Sequence, residues 1–529
     1  MQTFTIVAIM LAIAVGLAMV ARTLHLPYAV ALVLAGMVLA VVPGLPAHLG
    51  EVRLDPKLAM AVFLPPLLQT SAIFTPLRDF RRNLRPILLL AVGLVGFTTV
   101  AIGIATRLIF PALPWALCFA FGALISPPDA AAAAAVLQAA RLPRRVITVL
   151  EGESLLNDAS GLVLYNLAIA AIATGTFSAW EAAATFAWLA AGGALAGWAT
   201  GRVSSMIAAR LADPMLEITA SFLAAFGSFA LAEAIGASGV LAAVASGLTI
   251  AWHAPDWTTP RTRIADVAVW GFAVFILNTV VFTLIGLELR GIFERFGGLP
   301  PAWFVAKALL VSLVLIASRF VWIFPVAYGH RALFPAIRRV DPYPPWRHMV
   351  LMCWAGMRGV VSMAAALAIP EDVEGRDAVL ALTFIAIFVT LVVQGTTLGP
   401  LAQLLGMGRA ERPPPGADAG VRRRLAEAAV LHLKSRHEDE MFGPFARDLT
   451  PSFAARAEAE KLREANPAAA DAERLALLRL TLEALEVQRS LLLRMYRAQE
   501  VDDDTMRALS NELDLEELRL RRSGGEQTA

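Results

Sequence analysis

The stretch VITVLEGESLLNDASGLVLYNLAIAA, residues 146–171, decides the fold of this 529-residue chain. It is long and apolar enough to cross a bilayer, since a hydrocarbon core of about 30 Å needs about 20 helical residues. It nevertheless carries Glu151, Glu153, Asn157 and Asp158. Asp158 lies about 12 residues into the helix, or roughly 18 Å, which predicts a carboxylate at mid-membrane. Ionisable groups at that depth are costly and usually functional.

Helical spacing divides these polar residues between two neighbouring stripes of the helix. Ser154 and Asp158 are four residues apart on one stripe, and Glu153 and Asn157 are four apart on the next. The first stripe offers oxygen atoms to an ion, and the second offers a carboxylate to a salt bridge. Glu151 lies seven residues before Asp158, on nearly the same face but closer to the cytoplasmic end. For Glu151 and Glu153 a purely structural role is the alternative.

The composition around this helix is that of a membrane domain followed by a water-soluble tail. Of all residues, 58% are hydrophobic and 17% are charged, against about 25% charged in soluble proteins. Long apolar runs dominate up to about residue 407, and Arg, Glu and Asp dominate beyond it. The net charge of +2 favours neither nucleic acid nor an acidic partner. Cys118 and Cys353 lie in apolar runs without metal-ligand spacing, so we expect them to be packing residues.

Hydropathy predicts an all-α, polytopic membrane protein with thirteen transmembrane helices. The first helix is expected to be a retained span, because no basic segment or cleavage site precedes it. The predicted spans are residues 4–21, 27–43, 57–74, 86–107, 113–139, 146–172, 182–208, 214–234, 237–252, 265–289, 301–328, 346–369 and 377–405. Loops after odd-numbered spans hold sixteen positive residues, and loops after even-numbered spans hold six. The positive-inside rule therefore predicts an outside N-terminus and a cytoplasmic tail, in the cell (inner or plasma) membrane.

The fifth predicted span, residues 113–139, contains helix breakers near its middle. Pro127 and Pro128 lack amide donors and clash with the preceding turn, so we expect the helix to break between Ser126 and Asp129. Free carbonyls at mid-membrane are tolerated only where protein or a water-filled cavity satisfies them. A simple proline kink is the alternative, but a carboxylate at the same depth favours an ion site.

The twelfth predicted span also contains breakers near its middle, in the corresponding helix of the second half. Gly356 and Gly359 flank Arg358, a cation that must face a partner or a cavity at that depth. It can offset the dipole ends of two crossing broken helices, or it can belong to a static ion pair. In the eleventh span, Arg319 can reach Glu153 across the bundle. Thirteen spans divide as six, one and six, which predicts two inverted six-helix repeats.

These segments resemble the sodium/proton exchanger family of the NhaP/NHE type, especially its bacterial members. The matching pieces are FLPPLL (63–68), ISPPDAAAA (125–133), LEGESLLNDASGLVLY (150–165), LIGLEL (284–289) and GMRGVVSMAAAL (356–367). The resemblance implies an antiporter fold with two broken crossing helices in a transmembrane domain, residues 1–408. It further implies a six-helix core, about 86–172 and 301–405, and a dimer domain, about 4–74 and 182–289.

The resemblance and the residue pattern together nominate the residues of the site. The ion and proton ligands would be Asp158, Asp129, Ser154, Ser126 and Asn157, of which Asp158, Asp129 and Ser154 would hold the transported Na⁺. Glu153 with Arg319 would form the core salt bridge, Arg358 would compensate charge, and Glu151 would line the cytoplasmic funnel.

Two departures from the family pattern bear on ion preference. Pro127-Pro128-Asp129 replaces the usual Thr-Asp-Pro of the broken helix. Where some relatives carry an acidic residue after the Pro-Pro of the third helix, this chain has Gln69, Thr70 and Ser71, residues 69–71. The set of oxygen ligands around the ion can therefore differ from that of the relatives.

The function predicted from residues and resemblance together is secondary active exchange of Na⁺ or Li⁺ for H⁺ across the membrane. Alternating access around Asp158, one cation per proton and a homodimer in membrane lipid are expected, with no cofactor and no nucleic acid. A K⁺/H⁺ antiporter with the same site remains the nearest alternative, and a passive cation channel is a further one. An enzyme is disfavoured, because no paired His/Asp metal motif or serine nucleophile arrangement lies within the spans.

The tail, residues 409–529, is predicted to be a small cytoplasmic helical domain that assists dimerisation or regulation. It opens with the linker ERPPPGADAG, residues 411–420. Helices are expected near residues 417–440, 451–465, 467–499 and 502–521. We expect His432 and His437 to be solvated surface residues.

Overall fold

The computed structural model describes residues 16, 27–41, 59–129, 144–174, 179–211, 213–333, 339, 342–407 and 418–524. Nearly all of the predicted first span (4–21), the second half of the fifth span (130–139) and most of the linker lie outside these residues. Contacts divide the chain into two compact units, Met1–Ala410 and Glu411–Ala529. The described residues of both units form helices joined by turns and irregular segments, with no strand among them.

The described helices of the first unit follow the order of the predicted spans. They are α1 (Tyr28–Val41), α2 (Leu64–Phe74), α3 (Leu77–Arg82), α4 (Leu84–Leu88), α5 (Val95–Ile109), α6 (Trp115–Ile125), α7 (Arg144–Thr174), α8 (Ala179–Ala208), α9 (Pro214–Ala234), α10 (Gly239–Trp257), α11 (Pro260–Phe296), α12 (Ala302–Leu333), α13 (Trp346–Trp354), α14 (Val360–Leu367), α15 (Arg376–Val389) and α16 (Gly395–Leu404). Seven helical stretches among the described residues are long and apolar enough to cross a membrane. The chain is therefore a multi-pass membrane protein.

Among the described residues of this unit, three turns of π-helix precede or interrupt α-helices. They cover Ala59–Phe63 before α2, Leu89–Leu94 between α4 and α5, and Thr390–Gln394 between α15 and α16. Each turn continues the helix axis, so Leu84–Ile109 and Arg376–Leu404 each remain a single apolar span. Single π turns inside α-helices are frequent at functional sites in proteins.

Two sets of helices pack together within the first unit. In one set α5 packs on α6, α6 on α7, and α12 on α5 and α15; in the other α8 packs on α10, α1 on α11, and α10 on α2. The crossing of α1 and α11 is close enough that a Cβ on Gly36 would overlap the backbone of Thr283 and Gly286. Small residues permit such close approach where lipid supplies no hydrophobic drive between helices.

The second unit contains four described helices. They are α17 (Ala419–Ser435), α18 (Gly443–Ala465), α19 (Pro467–Arg497) and α20 (Asp503–Gly524). The expectation that a helix begins at Pro451 is wrong, because α18 begins at Gly443 and carries Pro451 inside it. Pro444 lies in the first turn instead, where a missing amide proton costs nothing. His437 is half-buried, and its Nε2 pairs with Thr450 Oγ1 at 2.9 Å.

Candidate ion-binding site

The polar residues of α7 are enclosed by the helix bundle. Glu153 and Asn157 are fully buried, and only 7% of Asp158 is exposed. The helix runs for 31 residues without a break, so its backbone groups pair internally and its side chains alone meet the neighbours. Any backbone group near this helix that lacks an intrahelical partner must therefore belong to another element.

The first such element is the end of α6. This helix stops at Ile125, since Pro127 and Pro128 cannot donate the amide hydrogen bonds of a further turn. The ring of Pro127 lies against Gly161 of α7, where a Cβ would overlap it. Asp129 follows outside any helix, next to α7.

The second such element is the gap between α13 and α14. The helix ends at Trp354 and resumes at Val360. The amide of Arg358, inside the gap, donates to Thr390 Oγ1 at 3.1 Å, on a π-helical turn. Gly359 lies directly against Asp129, and a Cβ at this position would overlap the carboxylate. Only glycine permits this approach of backbone to side chain.

Hydrogen bonds join the two gaps to each other. The amide of Asp129 donates to the carbonyl of Met357 at 2.7 Å. The hydroxyl of Ser362, in the first turn of α14, donates to the carbonyl of Leu124 at 2.7 Å. The first bond pairs backbone groups that lie outside the helices, and the second satisfies a carbonyl that the end of α6 leaves without an intrahelical partner. The two interrupted helices therefore meet at their breaks.

A cavity of about 280 Å³ opens beside this meeting point. It brings together four of the residues that the sequence nominates, contributed by α7 and by the end of α6: Glu151, Ser154, Asp158 and Asp129. The other walls come from α2, α11 and α14. Three carboxylates and a hydroxyl thus share one cavity.

The other two nominated ligands, Asn157 and Ser126, are not among the residues that line this cavity. Asn157 lies on the neighbouring stripe of α7, and its Nδ2 donates to the carbonyl of Pro128 at 2.9 Å. Ser126 Oγ donates to the carbonyl of Ala123 at 3.0 Å. In this structure both side chains hold the backbone of the first break.

Glu153 and Arg319 form a buried ion pair across the bundle. Arg319 Nη1 lies 2.7 Å from Glu153 Oε1, and Nη2 lies 3.1 Å from Oε2, so the contact is bidentate. Both side chains are 1% exposed. Arg319 also donates to the carbonyl of Met352 at 3.0 Å, which ties α12 to α13. A Cβ on Gly356 would overlap the Arg319 side chain.

Arg358 is the second buried arginine of this region, with 1% of its side chain exposed. Within the described part of the chain, its Nε and Nη1 have no hydrogen-bond partner. It interacts electrostatically with Arg319, Glu153 and Asp158. Because Nε and Nη1 of Arg358 form no hydrogen bond to any described carboxylate, its positive charge can act on the nearby carboxylates from a distance.

The cavity offers the chemistry of a hard-cation site. Hard cations prefer carboxylate, hydroxyl and carbonyl oxygens, and Asp129, Asp158 and Ser154 supply the first two types. A carboxylate can also bind a proton, which removes its charge and its affinity for a cation. One pair of aspartates can therefore hold either species.

Four polar residues of the cavity wall were missed by the sequence reasoning as ligands. Thr70 and Ser71 come from α2, Asn278 from α11 and Ser362 from α14. The hydroxyls of Thr70 and Ser71 donate to carbonyls of their own helix, at 2.6 and 3.0 Å, which leaves their oxygens as acceptors. The available signal was weak, because these residues are neutral and lie inside apolar runs.

The family described as "Sodium/hydrogen exchanger, transmembrane" matches residues 8–404 of this chain. The chain belongs to that family. Its members are cation/proton antiporters, and the resemblance found in the sequence motifs is thereby confirmed.

Relatives of known sequence agree with this membership. An uncharacterized Na⁺/H⁺ exchanger of Mycobacterium tuberculosis (strain H37Rv) is 32% identical over 97% of this chain and 95% of its own length. An uncharacterized Na⁺/H⁺ exchanger of Escherichia coli K12 is 30% identical, over 88% and 89%. A sodium, potassium, lithium and rubidium/H⁺ antiporter of Bacillus pumilus is 33% identical over 60% of this chain and 49% of its own length.

A solved structure shares the fold. The sodium proton antiporter MjNhaP1 of Methanocaldococcus jannaschii superposes with a TM-score of 0.59 over 77% of this chain and all of its own. Its sequence identity is 18%, so this likeness concerns the fold alone. The NhaP-like fold that the motifs predicted is confirmed at that level.

Proposed function

We propose that this exchanger-family protein moves Na⁺ or Li⁺ in one direction and H⁺ in the other, around Asp158. The observation that carries the proposal is the shared cavity, in which Asp158, Asp129 and Ser154 meet beside two crossing helix breaks. Asp158 binds either the cation or the proton, never both, which couples their movements. One cation per proton is proposed from the family resemblance, because Asn157 stands in place of a second carboxylate beside Asp158.

The buried charges around the cavity have supporting roles in this proposal. The Glu153–Arg319 pair fixes α7 against α12, so that the aspartates keep their geometry. Arg358 balances the negative charge at the site when the cation has left. Glu151, on the same face of α7, leads ions from the cytoplasmic funnel to Asp158.

The proposed transport cycle requires two moving parts. We assign α4–α7 and α12–α16 to a core and α1–α2 and α8–α11 to a dimer domain, which accords with the two sets of packed helices. The cavity walls come from both, since α2 and α11 face α7 and α14. Movement of the core past the dimer domain would expose the cavity to alternate sides, as in other inverted-repeat transporters. Thirteen spans, inverted repeats, a homodimer and a cytoplasmic tail complete this proposal.

K⁺/H⁺ exchange is the second candidate function. The Bacillus pumilus relative carries sodium, potassium, lithium and rubidium, and the cavity wall here has hydroxyls and an amide at Thr70, Ser71 and Asn278. Neutral oxygens bind a cation less strongly than a carboxylate does. At a site that contains them, selection between Na⁺ and K⁺ would depend on the size of the cavity. A passive channel would conduct cations without moving protons.

The test is proton flux in proteoliposomes with a preset pH gradient, to which Na⁺, Li⁺ or K⁺ is added. We expect Na⁺ to dissipate the gradient for the wild type and not for Asp158→Asn. The matched control is Asp372→Asn, which changes an exposed aspartate in the turn before α15. A gradient that no cation collapses, or equal flux from the Asp158 variant, would refute the proposal; a larger response to K⁺ would select the second candidate.

A further inference from the structure

An ion pair joins the two proposed moving parts at one end of the bundle. Arg295 lies in the last turn of α11, and its Nε is 3.6 Å from Oδ1 of Asp377, in the first turn of α15. The side chain of Arg295 is 17% exposed, and that of Asp377 is 60% exposed. Because α11 belongs to the dimer domain and α15 to the core, movement of one part past the other would change the distance between these two groups.

Glu288 orients Arg295 from within the same helix. Arg295 Nη1 donates to Glu288 Oε1 at 3.0 Å, and the Glu288 side chain is only 4% exposed. The two residues are about two turns apart and share one face of α11. Gly291 leaves room between them, since a Cβ there would lie 3.0 Å from Glu288 Oε1 and 3.4 Å from Arg295 Nη1. The guanidinium is therefore held on α11, and Asp377 is the partner that a movement would remove.

Asp377 is held in place on the core. The preceding residue, Arg376, donates from Nε to the carbonyl of Ile369 at 2.8 Å and from Nη2 to the carbonyl of Leu367 at 3.2 Å. These bonds tie the start of α15 to the end of α14, which is the second half of the interrupted helix. The dipole of α15 also favours a carboxylate in its first turn. The ion pair thus connects α11 to the part of the core that carries the second break.

Packed side chains separate this ion pair from the ion cavity. Asn278 of α11 lines the cavity, and Arg295 follows about 17 residues later, or roughly 25 Å along the helix. The cavity reaches in the other direction to Glu151, nearer the predicted cytoplasmic end of α7. Four residues of α11 between the cavity and the ion pair are at most 2% exposed: Thr279, Val281, Phe282 and Ile285. In this conformation the cavity is therefore closed on the side of the ion pair.

We propose that the Arg295–Asp377 pair is an outer latch, which holds the outer entrance closed while the ion cavity faces the cytoplasm. This inference rests on the proposed exchange function and on the topology in which α11 ends outside the cell. An ion pair with one half-exposed and one largely exposed partner contributes only weakly to stability. The latch therefore biases the equilibrium between the two conformations without trapping the protein in one of them.

The test measures access to the cavity from outside the cell. Asn278→Cys places a thiol on the cavity wall, and its labelling by a membrane-impermeant maleimide is followed in intact cells. We expect slow labelling with the latch intact. Adding Asp377→Asn or Arg295→Gln should make labelling about threefold faster, the shift expected of a partly exposed ion pair. Asp377→Glu keeps the charge and should label slowly, as should the matched control Asp372→Asn, an exposed aspartate in the preceding turn.

Three results would overturn the outer latch. Equal labelling rates with and without Asp377→Asn would show that the pair does not control access, and so would an equal increase in Asp372→Asn. Fast labelling with the latch intact would show that the outer entrance is already open. Labelling does not require exchange, so the two proposals can fail separately. A protein that exchanges no cation but responds to Asp377→Asn would refute the exchange function alone, and normal exchange with unchanged labelling would refute the latch alone.

Discussion

At the scale of single residues, the Glu153–Arg319 pair is the most enclosed charged contact described in the protein. Removing one partner leaves a buried charge without compensation, which costs about 3–5 kcal/mol. We therefore expect Glu153→Gln to lower the unfolding temperature in detergent strongly. Glu294→Gln, from the half-exposed Arg290–Glu294 pair, should change stability by less than about 1 kcal/mol. The double variant Glu153→Leu with Arg319→Met should recover part of the lost stability, because it removes both charges. If Glu153→Gln were as stable as the wild type, the pair would have no structural role.

Gly359 provides a residue-scale test of the ion site. An added methyl group would overlap the Asp129 carboxylate and displace it. We expect Gly359→Ala to reduce cation-driven proton flux roughly tenfold or more, since small displacements of reacting groups have effects of that size. Gly96→Ala is the control, because its Cβ would meet nothing within 4 Å. Normal flux from the Gly359 variant would show that the position of Asp129 is unimportant.

At the scale of elements, the bond from Ser362 of α14 to the carbonyl of Leu124 holds the two interrupted helices together. Ser362→Ala would leave that buried carbonyl without this partner, at a cost of about 1–3 kcal/mol. We expect a lower unfolding temperature in detergent. Ser160→Ala should be nearly neutral, because Ser160 donates within α7 to Leu156. If both variants unfolded at the same temperature, the link between the broken helices would contribute nothing.

The elements themselves could largely be predicted from the sequence, because their signals are local. Prolines 127 and 128 predicted the end of α6, and the glycines around Arg358 predicted the gap before α14. The π-helical turns could not be predicted, since no residue type specifies an extra residue in a turn. The function of the nominated site residues remains a prediction.

The cavity wall shows why the rest of the site could not be predicted from the sequence. Spacing along α7 placed Ser154 and Asp158 on one stripe, as in the structure. The bond between Asn157 and Pro128, and the presence of Asn278 on the wall, depend on how separate helices pack. A neutral side chain in an apolar helix carries no local sign of the neighbour that it meets.

At the scale of the whole molecule, the distribution of arginines predicts which loops face the cytoplasm. Arg210, after α8, should be inside, and Leu299, after α11, should be outside; both are exposed. In intact cells, a membrane-impermeant maleimide should label Leu299→Cys and not Arg210→Cys. The natural cysteines, Cys118 and Cys353, are buried and should give little background. The opposite labelling pattern would invert the proposed topology.

The π-helical turn at Thr390–Gln394 has a consequence for how this chain can vary. A π turn holds an additional residue, so it is equivalent to a one-residue insertion in an α-helix. Deleting one residue there would restore a regular α-helix, and α16 would keep its rotation relative to α15, because the wider π turn absorbs the additional residue. The buried face of α16, with Leu398 and Ala402, would then stay against its neighbours. A deletion in the regular α-helical part of the span between Arg376 and Leu404 should instead rotate everything after it by about 100° and be far less well tolerated.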